Sequence, residues 1–395
     1  MKFSQLLSLP LLLFPSTSGL SPALVVTPKQ FPFDCTFSSS YPRTYKVLKT
    51  GTPPPGTGNY NDGFWSNIKW TEDFVDITGN ESMVPRFNTN VKMVYDDDYL
   101  YFLGKLEEPQ VWATLETDNC VIFNDNDFEI FINPDATTHN YKEIELNAFS
   151  HIWNLALNVP YGDGGYENST RVMVPGYDML EPSTGSSWPV VKSGVSVFPS
   201  DCINNPTTSP NKGWGVEVKL PLEGIIYNTT VGMPSEGDFW RIDFSRVEWR
   251  VLVNETSGEY YKDPRYPNED NWVWQEIGVV AMHNPDKWGI LQFGGSSTSS
   301  DDDNTVDYYE EWPARQMAMM IYYAEHSFAG ANNGTYTTDV SKLEEYSQIE
   351  GALGSGCGEI SIMLLEGGGF EGEATVEGFK ARVRNDRLLT VEKVE

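Results

Sequence analysis

The chain has little positive charge to set against its carboxylates. It contains 27 Lys and Arg residues but 56 Asp and Glu residues, which gives a formal net charge of −29 at pH 7. This imbalance excludes nucleic acid as a partner, because nothing would offset the repulsion from its phosphates. Acidity of this degree is typical of soluble exported proteins and suits binding of Ca²⁺ through carboxylates. An acidic surface that merely keeps the protein dispersed explains the same composition.

Long apolar segments are missing from the interior of the sequence. The longest candidate, Met317 to Ala324, is far shorter than the roughly 18 residues that a membrane-spanning helix needs. The N-terminus has Lys2, an apolar stretch from Leu6 to Phe14 and small residues from Ser16 to Gly19. This pattern predicts a signal peptide over residues 1–19. We therefore expect a secreted, extracellular protein without a membrane span.

Cysteine is scarce and widely spaced. The four cysteines include no Cys-x-x-Cys pair, which disfavours zinc. In an oxidising compartment they predict one or two disulfides, with three full connectivities open among Cys35, Cys120, Cys202 and Cys357. Five Asn-x-Ser/Thr sequons also fit export, and we expect them to be glycosylated. They lie at Asn80, Asn168, Asn228, Asn254 and Asn333.

The composition changes along the chain and divides it into regions. Residues 20–59, with their Pro and Gly clusters, predict an extended N-terminal segment. Residues 60–293 show short apolar runs broken by turn residues, the pattern of an all-β antiparallel sandwich of the immunoglobulin or jelly-roll kind. Residues 294–307 form a polar linker. Residues 308–395 predict a small α+β region with no chemistry of its own.

Several segments predict individual elements. Asp96 to Asp98 separate two alternating runs and predict a hairpin turn. Gly213 to Pro221 places Trp214, Val216, Val218 and Leu220 on one face of a strand. Helical spacing covers Tyr308 to Phe328 and is stopped by Asn332-Asn333-Gly334. Two or three strands follow, at Glu359 to Leu365, Ala374 to Val383 and Leu388 to Val394.

The most informative segments are two acidic runs, Asp125 to Asp135 and Tyr141 to Trp153. Each alternates apolar and polar residues, so the two predict neighbouring antiparallel strands joined through Asn133-Pro134-Asp135. Because a slip of one residue would bury carboxylates, odd-numbered residues must pair with odd-numbered residues, which puts Glu129 opposite or diagonal to Glu143 or Glu145. The polar face then brings together Asp127, Glu129, Glu143, Glu145 and Asn147.

Like charges directly opposite each other destabilise a sheet. The acidic cluster therefore needs a counter-charge, an ion or a ligand rich in hydroxyl groups, unless it is simply a solvated sheet face. Arg241 or Arg246, in the strand from Trp240 to Trp249, can supply the counter-charge by bidentate pairing. A Ca²⁺ ion held by Asp125, Asp127 and Glu129 is the alternative.

Aromatic residues accompany the acids. Sugars stack their C–H faces on flat rings, while carboxylates and amides bond their hydroxyl groups. Trp214, Trp240 and Trp288 follow the apolar register and fit the core. Packing in the core is also an alternative role for each of the other Trp residues. The candidates for sugar contact are Trp112, Trp153, Trp249, Trp272 and Trp274.

Taken together, these stretches resemble family 9 carbohydrate-binding module-like proteins, which are β-sandwiches related to DOMON-type domains. The resemblance rests on six segments in the right order: Asn90–Leu115, Asn124–Asp135, Tyr141–Leu157, Gly213–Leu222, Phe239–Trp249 and Glu269–Phe293. It implies carbohydrate binding, a sugar clamped between two Trp residues, structural Ca²⁺ and a role near carbohydrate catabolism. Context places Trp112 and Trp249 as that pair, and no organic cofactor is expected.

Two other functions stay open. A glycoside hydrolase would use a carboxylate pair such as Glu129 and Glu145, with one acid and one nucleophile or base. A haem-binding or electron-transfer domain would follow from the DOMON relation, and its ligands would be Met282 and His283. Adjacent residues of a regular strand point to opposite faces, which speaks against that pair. The glycan and the oligomeric state are not predicted.

Overall fold

The structure, a computed structural model, describes residues 40–165, 192–207, 212–296, 305–346 and 357–394. The predicted signal peptide, Cys35, Asn168 and most of the predicted linker lie outside these residues. Within them, the chain forms eighteen strands and two α-helices. No helix of the described residues is long and apolar enough to cross a membrane.

The N-terminal part of the fold consists of strands β1 to β14 and one short helix, α1. These elements are β1 (Thr44–Lys49), β2 (Val75–Asp76), β3 (Thr89–Tyr95), β4 (Tyr99–Leu106), β5 (Asp127–Asn133), β6 (Tyr141–Asn147), β7 (Ile152–Leu157), β8 (Lys192–Phe198), β9 (Gly213–Pro221), α1 (Leu222–Ile225), β10 (Phe239–Glu248), β11 (Val251–Val253), β12 (Tyr260–Lys262), β13 (Asp270–Val273) and β14 (Gly289–Ser296).

Twelve of these strands belong to one curled sheet with the order β7-β6-β5-β10-β14-β1-β3-β4-β9-β8, and β13 pairs with both β10 and β2. The two halves of the sheet pack face to face. Phe102 of β4 meets Phe244 of β10 edge to face, with ring centroids 5.7 Å apart. Trp214, Trp240 and their apolar neighbours fill the main core between the halves. The predicted β-sandwich is confirmed.

The sequence predicted an antiparallel sandwich, but the sheet also contains parallel strand pairs. β1 runs parallel to both of its neighbours, β14 and β3. It comes from the segment predicted to be an extended lead-in, and it lies in the middle of the sheet. Tyr45 and Val47 alternate into the core and are 7% and 0% exposed. Two apolar residues at period two thus anchor this strand.

Local predictions within the sandwich are confirmed where the apolar register is strict. β3 and β4 pair as a hairpin, and the side chain of Asp96 accepts hydrogen bonds from the backbone N–H groups of Asp98 and Tyr99 in its turn. Trp214, Val216, Val218 and Leu220 of β9 are all buried. Trp288 is buried too, in a smaller apolar cluster outside the main core.

The C-terminal region consists of α2 (Trp312–Ala331) and a four-stranded antiparallel sheet of β15 (Glu359–Leu364), β16 (Phe370–Val376), β17 (Phe379–Arg384) and β18 (Leu389–Lys393). The helix begins later than predicted, because Pro313 suits only the first turn of a helix. The predicted single strand from Ala374 to Val383 is two strands. Glu377 and Gly378, with φ of 50° and 78°, form the turn between them.

Cys120 and Cys202 are free thiols. A framework that pairs all four cysteines is therefore wrong. Cys35 lies outside the described residues, and a single bond between it and Cys357 stays a prediction.

Candidate functional site

The two acidic strands pair in the predicted register. Glu129 lies directly opposite Glu145, Asp127 opposite Asn147, and Phe131 opposite Glu143. This register follows from the alternating apolar residues of the two strands that point into the main core, namely Phe128, Ile130, Ile132, Ile144 and Leu146. The carboxylates therefore project from the opposite, outer face of the sheet.

That outer face is a cleft rather than an open surface. Loops before β5, after β7 and before β14 rise around it and enclose a cavity of about 1070 Å³. Glu129, Glu143 and Glu145 line it, yet they are at most 5% exposed. A cavity of this size and mixed lining is of the kind that holds small ligands.

Three carboxylates form the tightest group beneath the cleft. One oxygen each from Asp127, Glu129 and Glu145 lies within 4.8 Å of the other two. Val247 donates its backbone N–H to Oδ1 of Asp127 at 3.0 Å. The buried Oδ2 of Asp127 has no hydrogen-bond partner among the described residues. An oxygen in this state is unusual, because buried polar atoms are nearly always satisfied.

The environment makes ionisation of these groups costly. Burial raises the pKa of Glu129 to about 7. Burial first, and repulsion from Glu129 second, hold the pKa of Asp127 and that of Glu145 well above their usual range. Such perturbed carboxylates in a cleft mark a functional site more often than a structural one.

Aromatic side chains border the same cleft. Trp153 lies directly opposite Glu145 in the β6–β7 pair, and Phe123 and Tyr161 reach the cavity from the loops. His283 packs edge-on against Tyr161, with ring centroids 4.3 Å apart. Burial lowers the pKa of His283 to about 4, so the ring is neutral at pH 7. The cleft thus combines carboxylates with flat rings.

Two predicted site residues hold the scaffold instead of facing the cleft. Both oxygens of Asp125 accept hydrogen bonds, from Thr114, Leu115 and Asn147. Asn147 is fully buried, and its amide bonds Asp125 and three backbone groups. The group of carboxylates whose oxygens lie close together contains Asp127, Glu129 and Glu145, and not Asp125.

Neither Arg241 nor Arg246 supplies the expected counter-charge. In β10, Ser245 pairs with Glu129 and Arg241 with Asn133, which puts Arg241 four residues, or about 13 Å, further along the strand. Its guanidinium donates to the backbone oxygen of Asp286. Arg246 points away from the cluster and pairs with other carboxylates, Glu108 and Glu248, at 2.8 and 2.9 Å.

Of the predicted tryptophans, only Trp153 is among the described residues that line the cleft. Trp112 is 5% exposed, and the ammonium of Lys262 lies 5.8 Å from its ring and 3.2 Å from that of Trp249. Trp272 is 2% exposed and packs on the guanidinium of Arg246. Trp274 belongs to the main core. Sugar contact by Trp112, Trp249 and Trp272 stays a prediction, and Trp153 is the candidate that borders the cleft.

The sequence analysis missed several residues of the site. Glu269 and Asn271 border the cleft, and the alternation of the segment from Glu269 to Trp274 contained the signal. Because Trp272 and Trp274 face the core, Glu269 and Asn271 must face the other way. Met282 and His283 both border the cleft as well, since they lie in a loop and not in a regular strand. No periodic signal identified Phe123 or Tyr161.

A comparison of the sequence with known families bears on this geometry. Residues 57–175 match the profile of the family described as carbohydrate family 9 binding domain-like. The match includes β5, β6 and β7, which contribute most of the cleft carboxylates and Trp153. It confirms the resemblance inferred from the sequence and supports a carbohydrate-binding role. No protein of curated function matches the chain significantly in sequence.

Three solved structures are similar to this chain at low sequence identity. One is a Bacteroides uniformis protein assigned to carbohydrate binding, 15% identical, with a TM-score of 0.41, covering 64% of this chain and 99% of its own. The other two are complexes of a family 9 carbohydrate-binding module from Caldicellulosiruptor kristjanssonii. Its cellotriose complex is 14% identical with a TM-score of 0.38, covering 67% and 98% of the two chains. Its glucose complex is 14% identical with a TM-score of 0.38, covering 65% and 99%.

Proposed function

We propose that the protein binds a carbohydrate in the cleft between β5, β6, β7 and the loop before β14. The observation that supports this most directly is the meeting of Trp153 with Glu145 and Glu143 at one cavity wall. The ring offers a flat surface for the C–H face of a sugar, and the carboxylates accept hydrogen bonds from its hydroxyl groups. The family match over the same strands agrees with this function.

The charge of the cleft limits which sugars fit. Four carboxylates line it, from Glu129, Glu143, Glu145 and Glu269, and none of its described lining residues is Lys or Arg. Uronic acids and sulfated sugars would find no cationic side chain among these lining residues to pair with their negative groups, which opposes their binding. The cleft therefore favours neutral sugars and amino sugars over acidic ones.

A Ca²⁺ ion fits the three-carboxylate group. Two oxygens bound to one Ca²⁺ lie at most about 4.6–5.2 Å apart, and the three oxygens of this group lie within 4.8 Å of one another, so one ion can contact all three. The unpartnered Oδ2 of Asp127 is available as a ligand. Asp127, Glu129 and Glu145 would hold the ion, which would offset their repulsion and fix the carboxylates beside the sugar. We propose this site in place of the predicted one that used Asp125.

Export and glycosylation are part of the same proposal. The four sequons within the described residues, Asn80, Asn228, Asn254 and Asn333, are all exposed. Exposed sequons are accessible to modification in the secretory pathway. A shift in mass after enzymatic deglycosylation of protein from a secreting eukaryotic host tests this part. An unchanged mass would reject it.

A glycan array of the full chain tests the sugar proposal. The array should include glucose oligomers, glucosamine oligomers and galacturonic acid oligomers, each with and without EDTA. We expect binding to a neutral or amino sugar, no binding to the uronic acid, and weaker binding after chelation. Release of new reducing ends from the bound glycan would show hydrolysis by the Glu129–Glu145 pair instead of binding alone. No binding to any glycan would reject the function.

A further inference from the structure

Two loops that form the rim of the cleft come from distant parts of the sequence. The first contains a 3₁₀ turn over Tyr161–Asp163, in which Tyr161 borders the cavity. The second includes His283 and continues into the 3₁₀ turn over Pro285–Lys287. Tyr161 and His283 touch each other at the rim. Their mutual position therefore shapes the mouth of the cleft.

A single residue of the C-terminal region contacts both loops behind this rim. Nε of Arg387 donates to Oδ2 of Asp163 at 2.7 Å, and its Nη1 donates to Oδ1 of Asp286 at 2.9 Å. Nη1 also donates to Oδ1 of Asn284 at 2.9 Å. The side chain of Arg387 is 7% exposed, and those of the two aspartates are 0% and 3% exposed. This is a buried junction, in which the planar guanidinium fixes the relative position of its partners.

Helix α2 completes the junction. The hydroxyl of Tyr322 donates to Asp163, and that of Tyr323 donates to Asp286 at 2.8 Å. Each aspartate thus accepts one hydrogen bond from Arg387 and one from a tyrosine. All of these donors belong to the C-terminal region, and all of these acceptors belong to the sandwich loops. The two aspartates therefore receive these side-chain hydrogen bonds from the C-terminal region.

We infer that the C-terminal region is a structural part of the binding cleft and that Arg387 is the positioning residue for its rim. This inference rests on the proposed function, because it assigns the rim a role in binding sugar. Arg387 does not touch the cavity. It acts through Asp163 on Tyr161 and through Asp286 on His283.

The test compares full-length Arg387→Ala and Arg387→Lys with the wild type and with Arg384→Ala as a matched control. Arg384 belongs to the same turn region, but it is 47% exposed and contacts only the neighbouring Asp386 among charged groups. Hydrogen exchange of the ligand-free proteins is measured for segments 158–165 and 279–288. Affinity is measured for the glucose and glucosamine oligomers.

We expect Arg387→Ala to raise exchange in both loops but not in β5 and β6. Affinity should fall by about tenfold, which is the lower end of what losing an outer supporting partner costs a site. Arg387→Lys should retain part of both properties, and Arg384→Ala should behave as the wild type. If Arg387→Ala does not fold, Tyr323→Phe, which removes one hydroxyl, is expected to raise exchange in segment 279–288 alone.

Unchanged exchange in both loops would overturn the positioning role. Raised exchange with unchanged affinity would overturn the role in binding. If the wild type binds neither oligomer, the proposed function fails, while the exchange measurements still decide whether Arg387 positions the rim.

Discussion

Glu129 and Glu145 lie directly opposite each other on adjacent antiparallel strands, both buried. A facing pair of like charges is unfavourable in a sheet even when water screens it. Here burial raises the pKa of both groups, and Asp127 adds a third carboxylate within 4.8 Å. The sheet tolerates this arrangement at a cost in stability. A cation and a hydroxylated ligand would both reduce that cost, which is why we place the site here.

Ca²⁺ should stabilise the protein through this group. At a hundred times its dissociation constant, an ion that binds only the folded state adds about 2.7 kcal/mol to the free energy of unfolding. We expect Glu129→Gln to lose most of this gain, because one ligand loses its charge. Calorimetry with and without Ca²⁺ measures it. The exposed Glu223→Gln is the control and should keep the full gain; equal gains in both variants would contradict the metal site.

Stability should fall with rising pH because of Glu325 in α2. This residue is 0% exposed, its Oε1 lacks a partner among the described residues, and burial raises its pKa from 4.5 to about 7. Between these values, the folded state holds a proton that the unfolded state has released. The free energy of unfolding therefore decreases as pH rises through this range, by about 1–3 kcal/mol in total.

Glu325→Gln should remove the part of this decrease that Glu325 contributes, while the buried carboxyl groups of the cleft, whose pKa values are also raised, keep their own contribution. Urea denaturation is expected to show the variant more stable than the wild type at pH 8 and similar to it at pH 4. Glu310→Gln, at an exposed position of the same region, should follow the wild type at every pH. Parallel curves for Glu325→Gln and the wild type would show that burial does not perturb this carboxyl.

Removal of Arg246 should be severely destabilising. Its guanidinium is fully buried between Glu108 and Glu248, and Nη1 also donates to the hydroxyl of Thr89 at 3.0 Å. Arg246→Met removes the close cation from two buried carboxylates and leaves Glu248 only the longer ion pair with Arg86, at 3.6 Å, which costs about 3–5 kcal/mol. The partly exposed pair of Arg250 with Asp270, 3.4 Å apart, is the comparison. Arg250→Met should cost less than about 1 kcal/mol in urea denaturation, and similar losses in both variants would contradict this account.

The sequence predicted the strands and their register well where apolar residues alternate strictly. Because Ile130 and Ile144 both face the core, Glu129 was predicted to lie opposite or diagonal to Glu143 or Glu145, and the structure shows Glu145 directly opposite. The sequence could not show that the polar face is enclosed, because loop residues such as Phe123 and Tyr161 follow no period. The sequence analysis also wrongly expected Arg241 to lie beside the acidic cluster. Its face of β10 was predicted correctly, but its distance along the strand depends on the pairing with β5.

The C-terminal region shows a second limit. Alternation over Ala374 to Val383 continues through a two-residue turn, so the pattern does not reveal that the chain reverses at Glu377-Gly378. The contacts of Arg387 with Asp163 and Asp286 join residues 224 and 101 positions apart. Local patterns contain no information on partners at such separations.

The most direct test of the account is the affinity of Trp153→Ala for the glycan that the wild type binds, measured by titration calorimetry beside Trp249→Ala. We predict that Trp153→Ala loses about 2 kcal/mol of binding free energy, or roughly thirtyfold in affinity, as expected for a central aromatic contact. Trp249→Ala, whose ring is covered by Lys262, should bind as the wild type does. Full affinity in Trp153→Ala with loss in Trp249→Ala would contradict the cleft and place the sugar at Trp249 instead.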